Sequence, residues 1–224
     1  MPFTDPAPAA LQDILAAAWA MLERGARDPA DDLHWPVLAS VDTRDPGSPV
    51  PDARTVVLRE VDRATRLLHV HSDLRAHKVA QLRAQPQVCL VLHHRNADVQ
   101  LRLRACASLH AGDGPARRAW DALPASSRRA YLAPAPPGTE SLHDDPNLPP
   151  EFRGRLPDAL QSQSGFVNFA LIALRVHGID WLRLGRTGHQ RARFDWPQSA
   201  PVAEAGARGA DAIERAPAAC WLHP

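Results

Sequence analysis

Cysteine is scarce in this 224-residue chain: Cys89, Cys106 and Cys220 are the only three. They show no CxxC spacing and an odd count, so neither a zinc ribbon nor a disulfide framework is supported. Cys89 and Cys106 fall in apolar, strand-like runs, where a thiol behaves as a small buried hydrophobe. A reducing, cytoplasmic setting is expected. No run of about 18 apolar residues offers a membrane span, and the first residues lack the basic start and apolar block of a signal peptide, so export is not expected. Net charge is also small, +1. Proteins that coat nucleic acid are usually strongly basic over a whole domain, so a small-molecule partner is expected instead. GxGxxG, GxxxxGK[ST] and GxSxG are all absent, as is any internal repeat. Rossmann, P-loop and hydrolase-elbow chemistry lose their sequence support with them.

Proline, by contrast, is plentiful, 22 residues, and predicts long loops. The length favours one compact domain over 1–224. Leu11, Ile14, Leu15, Ala18, Trp19 and Leu22 recur with helical spacing, which predicts an N-terminal helix within 1–30, capped by Asp5 and ended by Gly25. Strands are expected at 35–41 and from Arg54 through 61, the latter returned at 66–72 by a turn at 62–65. A helix over 74–83 follows, with Lys78 in its early part and Pro86 beyond its end. Residues 88–94 and 99–109 form a second predicted hairpin, in which Leu101 and Leu103 face one way while Gln100, Arg102 and Arg104 face the other. Short helices are expected at 115–123, 127–132 and 156–164. The proline-rich stretch 133–150 is expected to be an extended loop. Strands are predicted at 166–176, 179–184 and 191–196, with Gly178 and 185–188 as turns, then a flexible insert at 198–212 and a last strand into Trp221. Six or seven strands in hairpin connection predict a mainly β protein with flanking helices, an antiparallel barrel.

Arg54 and Lys78 frame a strand, turn, strand and helix start, where cations and free backbone N–H groups can converge on a phosphate. His69, His71, His93 and His94 raise a metal site, which ranks below the phosphate reading because no carboxylate or cysteine stands at ligand spacing.

RTVVLR at 54–59 and the run HSDLRAHKVAQLRAQPQVCLVL that starts at His71 resemble the pyridoxamine 5′-phosphate oxidase-like FMN-binding split barrels. WDALPASSRRAYLAPAPPG from Trp120, RARF at 191–194 and the terminal WLHP are similar to an oxidase-related branch of that family. The resemblance implies an antiparallel FMN-binding split β-barrel that forms a homodimer, with FMN as cofactor at the interface. It places Arg54, Thr55, Val56, Val57, Leu58 and Arg59, together with His71, Ser72, His77 and Lys78, against the cofactor, with Arg54 and Lys78 on its phosphate. Gln100 falls on the glutamine at the isoalloxazine edge, and Arg193 on an arginine that reaches the flavin from the second subunit. A tyrosine, an arginine and a serine hold the substrate phosphate in the true oxidases. The corresponding positions here are Ala119, Leu123 and Ser127, and the family's arginine and histidine that cover the substrate are replaced by His189 and Arg191. The implied activity is hydride transfer from a small amine or phosphorylated substrate to FMN. The competing reading is a non-catalytic FMN- or haem-binding or sensing protein on the same barrel.

Overall fold

The computed structural model describes residues 10–197 and 216–224. The expected Asp5 cap and the insert at 198–212 lie outside the described residues. Helix α1, Leu11–Arg27, buries the stripe Ile14, Ala18, Trp19 and Leu22 as its spacing predicts. Gly25 does not end it. The helix runs two residues further, and Gly25 is there for close approach: a Cβ on it would lie 2.8 Å from Cβ of Leu33, and its carbonyl accepts from Nδ1 of buried His34 at 2.7 Å.

Nine strands form one antiparallel sheet among the described residues: β1 (Val37–Asp42), β2 (Val50–Thr55), β3 (Glu60–Asp62), β4 (Leu67–Asp73), β5 (Gln87–His94), β6 (Val99–His110), β7 (Phe169–Arg183), β8 (Gln190–Asp195) and β9 (Ala218–Leu222). Their order is β2-β1-β5-β6-β7-β4-β3, with β8 beside β7 and β9 beside β8. Leu38, Leu90, Leu103, Ile179 and Phe194 are successive cross-strand partners. All are at most 1% exposed and form an apolar belt around the interior. Trp19 docks α1 on that core, edge-on to Trp196 at 6.4 Å. The expected antiparallel fold with flanking helices is therefore present, with more strands than six or seven.

Two sequence expectations fail for the same reason, that local composition does not say where backbone bonds go. The β-branched run at 55–61 is not one strand. Arg54 lies near the end of β2, and 56–59 cross from one end of the sheet order to the other. Val56 N–H bonds Pro36, Leu58 N–H bonds His34 and Arg59 N–H bonds His69, while Val56 and Leu58 point into the core. Nor is Gly178 a turn. It sits inside the 15-residue strand β7, opposite Arg104, where a Cβ would meet the Arg104 guanidinium at 2.5 Å. The pairing slips between Arg104 and Ala105, leaving His177 as a bulge.

Helix α2 (His77–Ala84) starts three residues later than expected. Helices α3 (Gly114–Ala122) and α4 (Ala125–Arg128) lead into a 3₁₀ turn at Arg129–Leu132. The helix expected at 156–164 is instead a 3₁₀ segment at Gln161–Asn168. Trp120, Leu123, Phe169 and Leu171 form a second, smaller apolar cluster here. The proline-rich loop has little regular structure, as expected, and it is fastened down: Arg75 donates to the carbonyls of Ala133 and Pro134, and Asn147 clamps Ala135 through two bonds.

Gly25→Ala should lower stability. Helix propensity favours alanine by about 1 kcal/mol, but overpacking against Leu33 costs about 1–3 kcal/mol. Urea denaturation should show a net loss, and a stabilised variant would mean that Leu33 yields freely.

Candidate functional site

The residues singled out from sequence fall into three groups, and the first surrounds Arg54. Its partner across the sheet is Leu38, so its side chain shares a face with Leu38 and Ser40. The guanidinium donates to Ser40 Oγ at 2.5 Å and to Gln81 Oε1 at 3.0 Å, and it pairs with Asp52. Gln81, buried on α2, ties the knot: its Oε1 also accepts from Ser40 at 2.7 Å and its Nε2 donates to Asp52 at 2.8 Å. The Gln81 bond, followed by the Arg54 charge, keeps the Asp52 carboxyl below its ordinary range despite some burial.

Lys78 lies beside this knot on the same helix, half-buried. Its only hydrogen bond among the described residues is to Ser72 Oγ, 3.1 Å. No carboxylate pairs with it, and burial followed by the Arg54 charge lowers its pKa. A cation desolvated beside another cation is costly unless an anion compensates both. The donor set is thus two cations, the Ser72 hydroxyl and the start of α2, a set that fits a phosphate. His77 is exposed at that helix start, within reach of Gly138 of the proline-rich loop.

Arg59 and His71 make the second group with Tyr131. The His71 ring stands edge-on to Phe169 at 4.9 Å, and the Tyr131 ring does so at 5.2 Å. Burial, then the charges of Arg59 and His69, pushes His71 down to about 4. Burial likewise pushes the Tyr131 phenol up to about 12, against the Arg59 charge. Thr55, the last residue of β2, is exposed, and Val57 in the crossing is partly buried.

The third group lies elsewhere. Gln100, Leu182 and Arg191 are cross-strand partners in one row of β6, β7 and β8, and Arg102, Asp180 and Arg193 form the next. These side chains occupy the face opposite that of Leu103, hence opposite that of Arg54. Asp180 is held by Arg102 and by Arg191, the latter at 2.7 Å. Burial pushes its carboxyl up, and the bonds from Arg191 and Arg102 outweigh it. Arg193 pairs with Asp195 at 3.0 Å. His189 is exposed in the turn before β8, whereas Ser127 sits on α4 among the helices. One chain therefore does not gather Ser127 with His189 and Arg191. Ala119 packs on the Trp120 cluster and Leu123 is buried in it. No group of three or more His, Cys, Asp or Glu could hold a metal ion among the described residues, and no helix among them is long and apolar enough to cross a membrane.

Sequence reasoning missed Asp52, Gln81, Ser40 and Tyr131. Gln81 stands three residues after Lys78, on the same helical face, which was the available signal. Asp52, two residues before Arg54 on the same strand face, was a second, whereas Ser40 and Tyr131 are joined to the site only by long-range packing.

The β7-centred sheet with a crossing segment and flanking helices is the architecture of FMN-binding split barrels. Residues 16–111 match the family model of the pyridoxamine 5′-phosphate oxidase FMN-binding domain, and the resemblance read from sequence holds. The chain is similar to the crystal structure of a pyridoxamine 5′-phosphate oxidase-related, FMN-binding protein from Nostoc punctiforme, at 21% identity and a TM-score of 0.67, over 98% of this chain and 100% of that one. It is also similar to PhzG from Burkholderia lata, solved with tetrahydrophenazine-1-carboxylic acid, at 14% identity and a TM-score of 0.58, over 97% and 95% of the two chains. At these identities the likeness is one of fold. No curated protein sequence matches the chain.

The His71 shift carries a pH prediction. Its folded pKa lies below the ordinary 6.5, so the unfolded chain binds the extra proton first. The stability at stake is fully present above about pH 6.5 and is lost as pH falls toward 4, in total about 3 kcal/mol. His71→Leu should remove that part of the slope between pH 6.5 and 4 in denaturation series. Parallel slopes in both proteins would show that His71 titrates normally.

Proposed function

We propose that the chain binds FMN through the first group, with Arg54 and Lys78 on the phosphate, and acts as an oxidoreductase. The observation that carries this reading is Lys78: half-buried, beside Arg54, hydrogen-bonded only to the Ser72 hydroxyl and in no ion pair among the described residues. The family match over 16–111 supports it. Asp52 and Gln81 would hold the Arg54 fork in place, and a fixed fork loses less freedom on binding than a mobile one. The crossing backbone at 55–58, with His71 and Ser72 of β4, would lie along the ligand, and His77 would stand at the phosphate end.

Gln100 and Arg193 belong to the same reading only through a second copy of the chain. Both lie on the opposite face from Arg54, so a flavin held by all of them requires two subunits, and a homodimer is proposed on that ground. Trp35, Val37 and Trp221 supply apolar surface for such contact; they are 53%, 39% and 45% exposed. Arg193 would then place a cation where negative charge develops on reduction, and Gln100 would offer an amide donor and acceptor to the pyrimidine edge. Bound in this way, FMN would supply two-electron chemistry, taking a hydride from a small amine or phosphorylated substrate. His189, Arg191 and Ser127 remain the substrate-side candidates.

A second reading, a non-catalytic FMN- or haem-binding or sensing protein, is favoured by one observation. Two of the three positions that hold substrate phosphate in the oxidases are Ala119 and Leu123, packed into an apolar cluster. Visible spectra separate the readings: flavin bands bleached by a substrate and restored by air mark the enzyme.

Lys78→Ala should weaken FMN binding by roughly ten- to a hundredfold, since a charge-assisted contact is worth about 1.5–3 kcal/mol. Flavin fluorescence titration checks this, and an unchanged Kd would sink the phosphate assignment. Light scattering should give twice the monomer mass. A monomer that still binds FMN would remove Gln100 and Arg193 from the site.

A further inference from the structure

The fork of Arg54 is already occupied by the chain itself. Nη1 donates to Ser40 Oγ at 2.5 Å and to the Leu38 carbonyl at 3.4 Å, and Nη2 donates to Gln81 Oε1 at 3.0 Å and to the Asp52 carboxylate. Both terminal nitrogens are thereby committed, and only Nε–H has no acceptor among the described residues. A phosphate that takes the terminal N–H groups of this arginine has to displace one of these partners.

The partners differ in how firmly they are built in. Leu38 contributes backbone. Ser40 and Gln81 are 4% and 5% exposed and are bonded to each other at 2.7 Å, from β1 to α2. The Asp52 side chain is 43% exposed and stands on β2, an edge strand that pairs only with β1 among the described residues. It is also the one anion of the set, and an acceptor-only carboxylate is the group whose contacts a phosphate oxygen reproduces. Gln81 Nε2 donates to the same Asp52 oxygen as Arg54 does, at 2.8 Å. Departure of the carboxylate would therefore free two donors together. Lys78, one turn before Gln81 on α2, adds the ammonium N–H groups that its single bond to Ser72 leaves over.

We propose that Asp52 is an internal competitor of the ligand: its carboxylate holds the anion position on Arg54 in the ligand-free chain, and a bound phosphate takes that position while Asp52 turns to water. The proposal rests on the phosphate reading of this corner and adds to it the residue that sets the affinity. Asp52 stabilises the empty corner and opposes its loading. Gln81 and Ser40, buried and bonded to each other, keep the fork aimed in both states.

The test separates charge from shape. Asp52→Asn and Asp52→Ser both remove the charge and differ in the hydrogen bonds that remain. In the full chain both should tighten FMN at least tenfold by flavin fluorescence titration and leave riboflavin, which has no phosphate, within about twofold. Both should also lower the urea midpoint of the flavin-free protein. Asp52→Glu, which keeps the charge, should bind FMN within about threefold of the unaltered chain. No tightening in either neutral variant would overturn the proposal, because a carboxylate that only aims the fork is missed when it is removed. An equal gain for riboflavin, or an Asp52→Glu variant as tight as Asp52→Asn, would overturn it as well. Inorganic pyrophosphate, titrated by calorimetry into the flavin-free chain, keeps this proposal apart from the flavin reading. A protein that takes up FMN with the same affinity whatever stands at 52 loses the competitor alone. One that takes up no FMN, yet binds pyrophosphate at least tenfold more tightly in Asp52→Asn, keeps the competitor and loses the flavin reading; one that binds neither loses both.

Discussion

Strand β7 is the constraint on which the rest depends. Its residues from Leu171 to Arg183 pair with β6, apart from the His177 bulge, while the other edge is divided, β4 taking Phe169–Arg175 and β8 taking Gly178–Arg183. One strand cannot give its whole edge to two partners, so the sheet branches at the His177 bulge. The branch separates the polar groups. His71 and Tyr131 collect where β4 meets the helices, and Gln100, Arg191 and Arg193 collect on the β8 arm. A small ligand that needs both sets has to lie between two chains, which is how a sheet connection becomes an argument about assembly.

Within the β2 and α2 corner the energetics turn on how buried charge is compensated. Arg54 is paired with Asp52 and held in direction by Gln81 and Ser40. Lys78 has no carboxylate at pairing distance and feels Asp73 and Asp52 only from further off, less than it feels its burial and Arg54. Removing an ammonium from water costs several kcal/mol, and a neutral hydroxyl at 3.1 Å returns only part of it. A chain that retains this imbalance has placed its stability below what a Leu or Met at 78 would give, a pattern found where binding rather than folding sets the residue.

Much of this was legible in the sequence. The α1 stripe, the β5 and β6 hairpin and the proximity of Arg54 to Lys78 follow from local spacing, because period and turn chemistry act within a few residues. Legibility failed where a residue's meaning depends on a distant neighbour. Gly25 and Gly178 look like punctuation, yet one admits Leu33 and the other the Arg104 guanidinium. RTVVLR looks like a strand by composition, yet its N–H groups divide between the segment before β1 and strand β4. Asp52 and Gln81 are 29 residues apart and meet only because α2 folds back over β1 and β2.

The cationic sites then differ in a way that ligand valence can read. Arg54 with Lys78, less the charge of Asp52, leaves a net single positive charge, but it is supported by a hydroxyl and a helix start that can share a second negative charge. Arg59 has no such support: its neighbours are a neutral imidazole and a phenol that burial keeps protonated far above neutral pH. Adding a second cation there would require His71 to protonate, which its burial opposes down to about pH 4. The Arg54 corner and the Arg59 end of the crossing thus differ in charge across the physiological range.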